Sequence, residues 1–233
     1  MHGEESAYDK SSALKDISRL LPGFDGKHLR PVISTGKDTR WWALIALCSG
    51  ALMIVLDAAV VVVALPPIGV DLNVSDSSIV WVVNAYLIPY AGCRLFAGRL
   101  GDVFGHRRLF LSALMFFSLA SITCAAAQSW IWLLIARAFQ GAAGAAVVTG
   151  AGSLIIIMFN DGKERAKAIG IYGFVCSVGG AAGVLVSGTV TSILGWRWLF
   201  LLNLPTAAVV YVVLWAARGS DRASLVRRAF HPP

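Results

Sequence analysis

Six apolar runs, at about 41–65, 79–97, 109–128, 130–157, 168–192 and 198–217, dominate this chain of 233 residues. A hydrocarbon core about 30 Å thick takes about 20 helical residues to cross, and each run comes up to that length. Lipid offers no partners to backbone N–H and C=O groups, so only helices and closed barrels cross it. No run alternates apolar and polar residues as a barrel strand does. Each therefore reads as a helix. The composition agrees: 57% of residues are hydrophobic and 14% charged, against about 25% charged in soluble domains. The expected fold is an all-α membrane protein. Six transmembrane helices over 41–217 lie between a polar tail at 1–40 and another at 218–233. Only Gln128-Ser129 separates the third run from the fourth, which predicts a hairpin. Trp41, Trp42, Trp81, Trp130, Trp132, Trp196 and Trp198 fall near run ends, where interfacial aromatic belts form.

Basic residues set the expected orientation. All but three of the 20 Lys and Arg residues lie before residue 41, in the 98–108 and 160–167 links, or after residue 217. The positive-inside rule then puts both termini and those two links in the cytoplasm of a multi-pass cell-membrane protein. The formal net charge is +7. Topology accounts for nearly all the basic residues, so nucleic acid is not an expected partner. Within the first tail, Leu14, Ile17 and Leu21 recur at helical spacing before Pro22-Gly23. A short interfacial helix and an unstructured tail are both consistent with that pattern. The first apolar run starts too late and is too long for a signal peptide. Cys48, Cys93, Cys124 and Cys176 all fall inside apolar runs. They read as small buried residues, with no disulfide framework, and no metal or cofactor is expected.

The polar residues inside the runs carry the functional signal, because a charge at membrane depth is costly. Asp57 and Arg137 are expected about seven or eight residues from the outer ends of their helices, roughly 10–12 Å deep. Equal depth permits an ion pair or a shared aqueous cavity. An acid there can exchange a proton, whereas a static pair would only fix packing. Gln140 and Asn84 are amides at membrane depth, able to bond a substrate or a neighbouring helix. Tyr86, Tyr90 and Phe139 suit either an apolar substrate pocket or plain packing. Arg94 is expected near the inner end of the second helix, snorkelling to the headgroups. The stretch from Gly98 to Arg108 reads as a tight polar loop at the membrane surface, with Asp102 among Arg99, His106, Arg107 and Arg108. Gly141 and Gly144, and Gly179, Gly183 and Gly188, are expected to let helices approach closely. No nucleophile–base constellation or phosphate-binding loop is visible, so no enzyme is expected.

Taken together, these motifs resemble the major facilitator superfamily, in its fourteen-helix drug:proton antiporter branch. Leu56-Asp57 followed by Ala64-Leu65-Pro66 is similar to that branch's first-helix signature, with Ala59 and Val62 where Thr and Asn are usual. Trp81-Val-Val-Asn-Ala-Tyr86 resembles its second-helix entry. Gly98 to Arg108, with Gly98, Asp102, Gly105, Arg107 and Arg108, resembles the superfamily's link between helices two and three. Arg137-Ala-Phe-Gln-Gly141 resembles the fourth-helix motif, and Gly195 to Pro205 the lead into helix six. The resemblance spans about residues 41–217 and implies proton-coupled export of an amphipathic, drug-like or secondary-metabolite molecule. It implies that Asp57, Arg137 and Gln140 serve the cavity or the proton, and that the Gly98–Arg108 link gates the inward face. At the fifth helix the usual Gly-Pro-x-x-Gly-Gly is matched by Gly183 to Gly188, with Val184 for Pro and Ser187 for one Gly. The proline-related kink is therefore not expected.

The resemblance also implies two six-helix halves, of which this sequence matches the amino-terminal one. Three expectations follow: a truncated product, a bundle that pairs with itself or a separate second half, or a non-transporting membrane module. An isolated half would leave Asp57 and Arg137 on an inner face with no wall opposite.

Overall fold

The computed structural model describes residues 37–213. The expected tail helix near Leu14–Leu21 and the outer parts of both tails lie outside these residues. Among the described residues every regular element is helical. α1 spans Lys37–Asp71. α2 spans Trp81–Phe104, preceded by a single turn at Asp76–Ile79. α3 spans His106–Ala125, α4 Trp130–Met158, and α5 Gly162–Leu194. α6 spans Arg197–Val213, with a turn at Leu202. The first five are long and apolar enough to cross a membrane, and α6 is a shorter apolar helix.

Local chemistry fixes the ends. Gly105 and Gly195 both sit at φ 89°, a region that favours glycine, and each separates two helices. Ser129 caps α4 by accepting the Trp132 N–H at 3.4 Å. Asp161 caps α5 by accepting the Glu164 N–H at 3.1 Å. Side-chain oxygens satisfy otherwise unpaired donors at these two starts.

Two expectations are corrected. The first run does not stop at residue 65: α1 continues through Pro66 and Pro67 to Asp71. Each proline removes a helical donor. The extension is nevertheless held, because Ile68 is fully buried and Asp71 is anchored. Arg197 Nη1 and Trp196 Nε1 donate to Asp71 Oδ2 at 2.7 and 3.2 Å. Arg197 also donates to the Ala127 carbonyl at 3.0 Å, tying three links at this end of the bundle.

The second correction concerns Gly98 to Arg108, which is not a loop. α2 runs through Gly98 and Asp102 to Phe104, and α3 starts at His106. Gly105 alone lies between them. Its positive φ does in one residue what the polar composition had suggested needed a loop. The charged side chains project from helix ends instead. His106 Nε2 lies 3.4 Å from Asp102 Oδ1, and Arg108 is exposed.

α2 and α3 both pack on α4, α1 packs on α5, and α6 packs on α3. Small residues set the closest approaches. A Cβ on Gly141 would strike the backbone carbonyl of Tyr86, so α4 and α2 meet backbone to backbone. Gly50 seats the Phe110 ring, and Gly183 seats Leu56. Gly179 faces the flexible tip of Leu52. A Cβ on Gly188 would meet nothing within 4 Å among the described residues. α5 is continuous, and Ser187 Oγ donates to the Val184 carbonyl at 2.8 Å. At the Lys37 end of α1, Arg40 pairs with Glu164 at 3.5 Å and Lys167 lies over Trp41. α2 and α5 leave most of their apolar windows uncovered, whereas about half of the windows in α1, α3 and α4 is buried.

Candidate functional site

α1 and α4 cross so that Asp57 and Arg137 face one another. Arg137 Nη1 donates to Asp57 Oδ2 at 2.6 Å, and both side chains are 1% exposed. α1 projects further than expected beyond this level, yet the two residues still meet.

The pair sits in a saturated polar cluster. Gln140, one turn from Arg137 on α4, donates to Asp57 Oδ1 at 2.9 Å and to Ser121 Oγ at 2.8 Å. Its Oε1 accepts from Arg137 Nη1 at 2.7 Å and from Cys124 Sγ at 3.5 Å. Asn203 of α6 donates to Asp57 Oδ1 at 2.7 Å and to Ser121 Oγ at 3.2 Å. Arg137 Nε reaches the Val82 carbonyl at 3.4 Å. Charge-assisted hydrogen bonds of this kind are about twice as strong as neutral ones, and they offset the large desolvation cost of two buried ions.

Aromatic rings close the cluster. The Arg137 guanidinium lies 4.3 Å from the centre of the Tyr86 ring and 5.8 Å from that of Phe200. Tyr86 stacks on Tyr90 at 5.6 Å, nearly parallel. The Tyr86 hydroxyl is buried without a hydrogen-bond partner among the described residues. A Cβ on Gly144 would come within 3.0 Å of it.

This arrangement corrects the expectation of an unwalled inner face. Asp57 and Arg137 lie inside the bundle, covered by Tyr86 of α2 and by Asn203 and Phe200 of α6. Asn84 is half-buried on α2, outside the hydrogen-bonded cluster. Tyr86 packs against the ion pair rather than lining an open pocket, and Tyr90 is half-buried behind it. Phe139 is 70% exposed, in an apolar groove between α3 and α4 that also runs past Phe104, Arg108 and Phe116. Gly98, Asp102, Gly105, Arg107 and Arg108 cluster at the α2–α3 junction, far along the chain from the ion pair.

Sequence reasoning missed Ser121, Cys124 and Asn203. A serine and a cysteine inside an apolar run carry little signal alone. Asn203 was visible as an amide inside a membrane-grade segment, the same signal that drew attention to Gln140 and Asn84. Arg94 lies ten residues from the end of α2, and its guanidinium is 5.5 Å from the centre of the Tyr90 ring, one turn toward the Trp81 end.

The chain matches the model of the Major Facilitator Superfamily over residues 47–231. It is 42% identical over 168 residues to the puromycin resistance protein pur8 of Streptomyces alboniger, covering 72% of this chain and 33% of that protein. It is 40% identical over 181 residues to the cephamycin export protein CmcT of Amycolatopsis lactamdurans, covering 78% and 37%. The match thus covers about a third of the length of these curated relatives. Its fold is similar to that of a bacterial homologue of the human lysosomal transporter Spinster, solved inward-facing and unoccupied. The TM-score is 0.65 and the identity 24%, over 78% of this chain and 44% of that one. The helices, their packing and the matched sequence agree on one conclusion: the chain belongs to the major facilitator superfamily and carries the fold of its amino-terminal half.

Proposed function

We propose that this chain supplies the amino-terminal bundle of a proton-coupled exporter of amphipathic small molecules, of the fourteen-helix drug:proton antiporter kind. The observation that carries the proposal is the Asp57 carboxylate, buried at membrane depth and held by Arg137, Gln140 and Asn203. Protonating Asp57 removes the charge opposite Arg137 and leaves a guanidinium buried without its counter-ion. Breaking a buried pair costs about 3–5 kcal/mol. A rearrangement of α1 against α4 relieves that cost, so proton occupancy biases which conformation is populated. The names of the relatives, puromycin resistance and cephamycin export, favour a drug or secondary metabolite as cargo.

In this reading Gln140 orients the pair, Asn84 and Tyr90 of α2 border the substrate path, and Tyr86 covers Arg137. Gly98, Asp102, Gly105, Arg107 and Arg108 form the gate at the α2–α3 junction, on the cytoplasmic side of the cell membrane together with both termini. Transport in this fold rocks one half against another around a midplane site. A second bundle is therefore required, from further polypeptide, a separate chain or a second copy. Saturation of the cluster favours a second reading: a static pin in a non-transporting membrane module.

Efflux from vesicles that hold this bundle with a second one separates the readings. Asp57→Asn is expected to abolish efflux driven by a pH gradient while leaving membrane insertion intact. Efflux that still follows the pH gradient in that variant would show that Asp57 is not the proton carrier.

A further inference from the structure

The two oxygens of Asp57 are held differently. Oδ2 accepts from Arg137 Nη1 at 2.6 Å. Oδ1 accepts from two amides, Gln140 Nε2 at 2.9 Å and Asn203 Nδ2 at 2.7 Å. The same two nitrogens also donate to Ser121 Oγ, at 2.8 and 3.2 Å. An amide nitrogen of this kind carries two hydrogens, so each amide spends both of them in bridging Oδ1 to Ser121. Asp57, Ser121, Arg137, Gln140 and Asn203 are all buried within this one bundle, so these bonds do not depend on a second one. Among the described residues the titratable groups near Asp57 are Arg137 of α4, Tyr86 of α2 and Cys124 of α3.

A carboxylate that takes up a proton keeps one oxygen as an acceptor and turns the other into a donor. A hydroxyl at Oδ1 would face two N–H donors. Gln140 cannot turn over to receive it, because its Oε1 already accepts from Arg137 Nη1 and Cys124 Sγ. A hydroxyl at Oδ2 displaces one donor, and Arg137 keeps Gln140 Oε1 at 2.7 Å and the Val82 carbonyl at 3.4 Å. Buried donors stripped of their acceptors are costly, so protonation at Oδ2 loses less.

From this geometry we infer that Asn203 is a positioning residue for proton uptake: with Gln140 it keeps Oδ1 as the carbonyl and directs the proton to Oδ2, the oxygen facing Arg137. The inference rests on the proton-coupling reading and adds the atom that takes the proton. A proton supplied by water forms the O–H bond at Oδ2 and replaces only the Arg137 hydrogen bond. α6 stays tied to α1 through Asn203 in both protonation states, and the first group to move is the Arg137 side chain.

The test is infrared difference spectroscopy of the purified chain in micelles, between alkaline and acid buffer, with Asp57→Asn identifying the Asp57 band. With the proton on Oδ2, the carbonyl accepts from Asn203, so Asn203→Leu should move the band to higher wavenumber. With the proton on Oδ1, the carbonyl faces Arg137 and the band should stay where it is. An unmoved band overturns the Asn203 assignment and leaves proton uptake standing, whereas the absence of any Asp57 band in the wild type overturns both. Should Asn203→Leu fail to fold, magic-angle-spinning NMR of the wild-type chain decides instead. The contact between the Asn203 side-chain nitrogen and the Asp57 carboxyl carbon is expected to persist in acid while the Arg137 contact weakens. Loss of the Asn203 contact on acidification overturns the inference.

Discussion

Replacing Gly141 with alanine is expected to unseat α2 from α4. The new methyl group would meet the carbonyl oxygen, carbonyl carbon and Cα of Tyr86. These are backbone atoms, so no rotamer change relieves the clash and the helices must separate. Overpacking typically costs about 1–3 kcal/mol, and more where backbone has to shift. The damage should spread, because the same tyrosine covers Arg137 at 4.3 Å. Gly179→Ala is the internal comparison. Its Cβ meets only the tip of Leu52, which can rotate away, so the change should be small. Unfolding of the two variants in mixed micelles by a denaturing detergent measures both. Equal losses would show that the α2–α4 backbone contact does not set the stability of the bundle.

The second large effect concerns the ion pair. Asp57→Ala leaves Arg137 buried, with Gln140 and the two rings but no counter-ion, and should cost about 3–5 kcal/mol. Arg137→Met should cost a similar amount by stranding the carboxylate. The double variant should lose clearly less than the sum of the two, because no uncompensated charge remains and the methionine refills the space between Tyr86 and Phe200. A double-mutant cycle in the same unfolding assay yields the coupling. Strict additivity would mean that the 2.6 Å contact contributes nothing as a pair.

Much of this architecture was legible because membrane helices obey one dominant constraint. Apolar runs of about 20 residues have few alternatives in lipid, and the number and order of helices followed from them. Helix ends were less legible. Hydropathy ends at Leu65, but α1 continues through two prolines because Asp71 is held by Arg197 and Trp196, residues more than a hundred positions away. The Gly98–Arg108 stretch was misread for the opposite reason. Its charges suggest a membrane surface, but polarity does not distinguish a loop from the solvated end of a helix. At the site, Asp57, Arg137 and Gln140 stood out because ionisable and amide groups in apolar runs are costly. That the pair is walled in depended on α6 folding back to place Asn203 and Phe200 against it, which spacing within one helix cannot show. Gly188 and Gly183 look alike in sequence. Only the position of α1 decides that Gly183 meets Leu56, while a Cβ on Gly188 would meet nothing within 4 Å among the described residues.

The proposed proton coupling requires Asp57 to take up and release a proton inside the bundle. Infrared difference spectroscopy of the purified chain between acid and alkaline buffer reads that event directly, with no second bundle or substrate required. The prediction is a protonated-carboxyl band that grows on acidification, is missing from Asp57→Asn, and is accompanied by changes in the guanidinium bands of Arg137. A difference spectrum identical in wild type and Asp57→Asn would contradict the account and leave the pair a static pin.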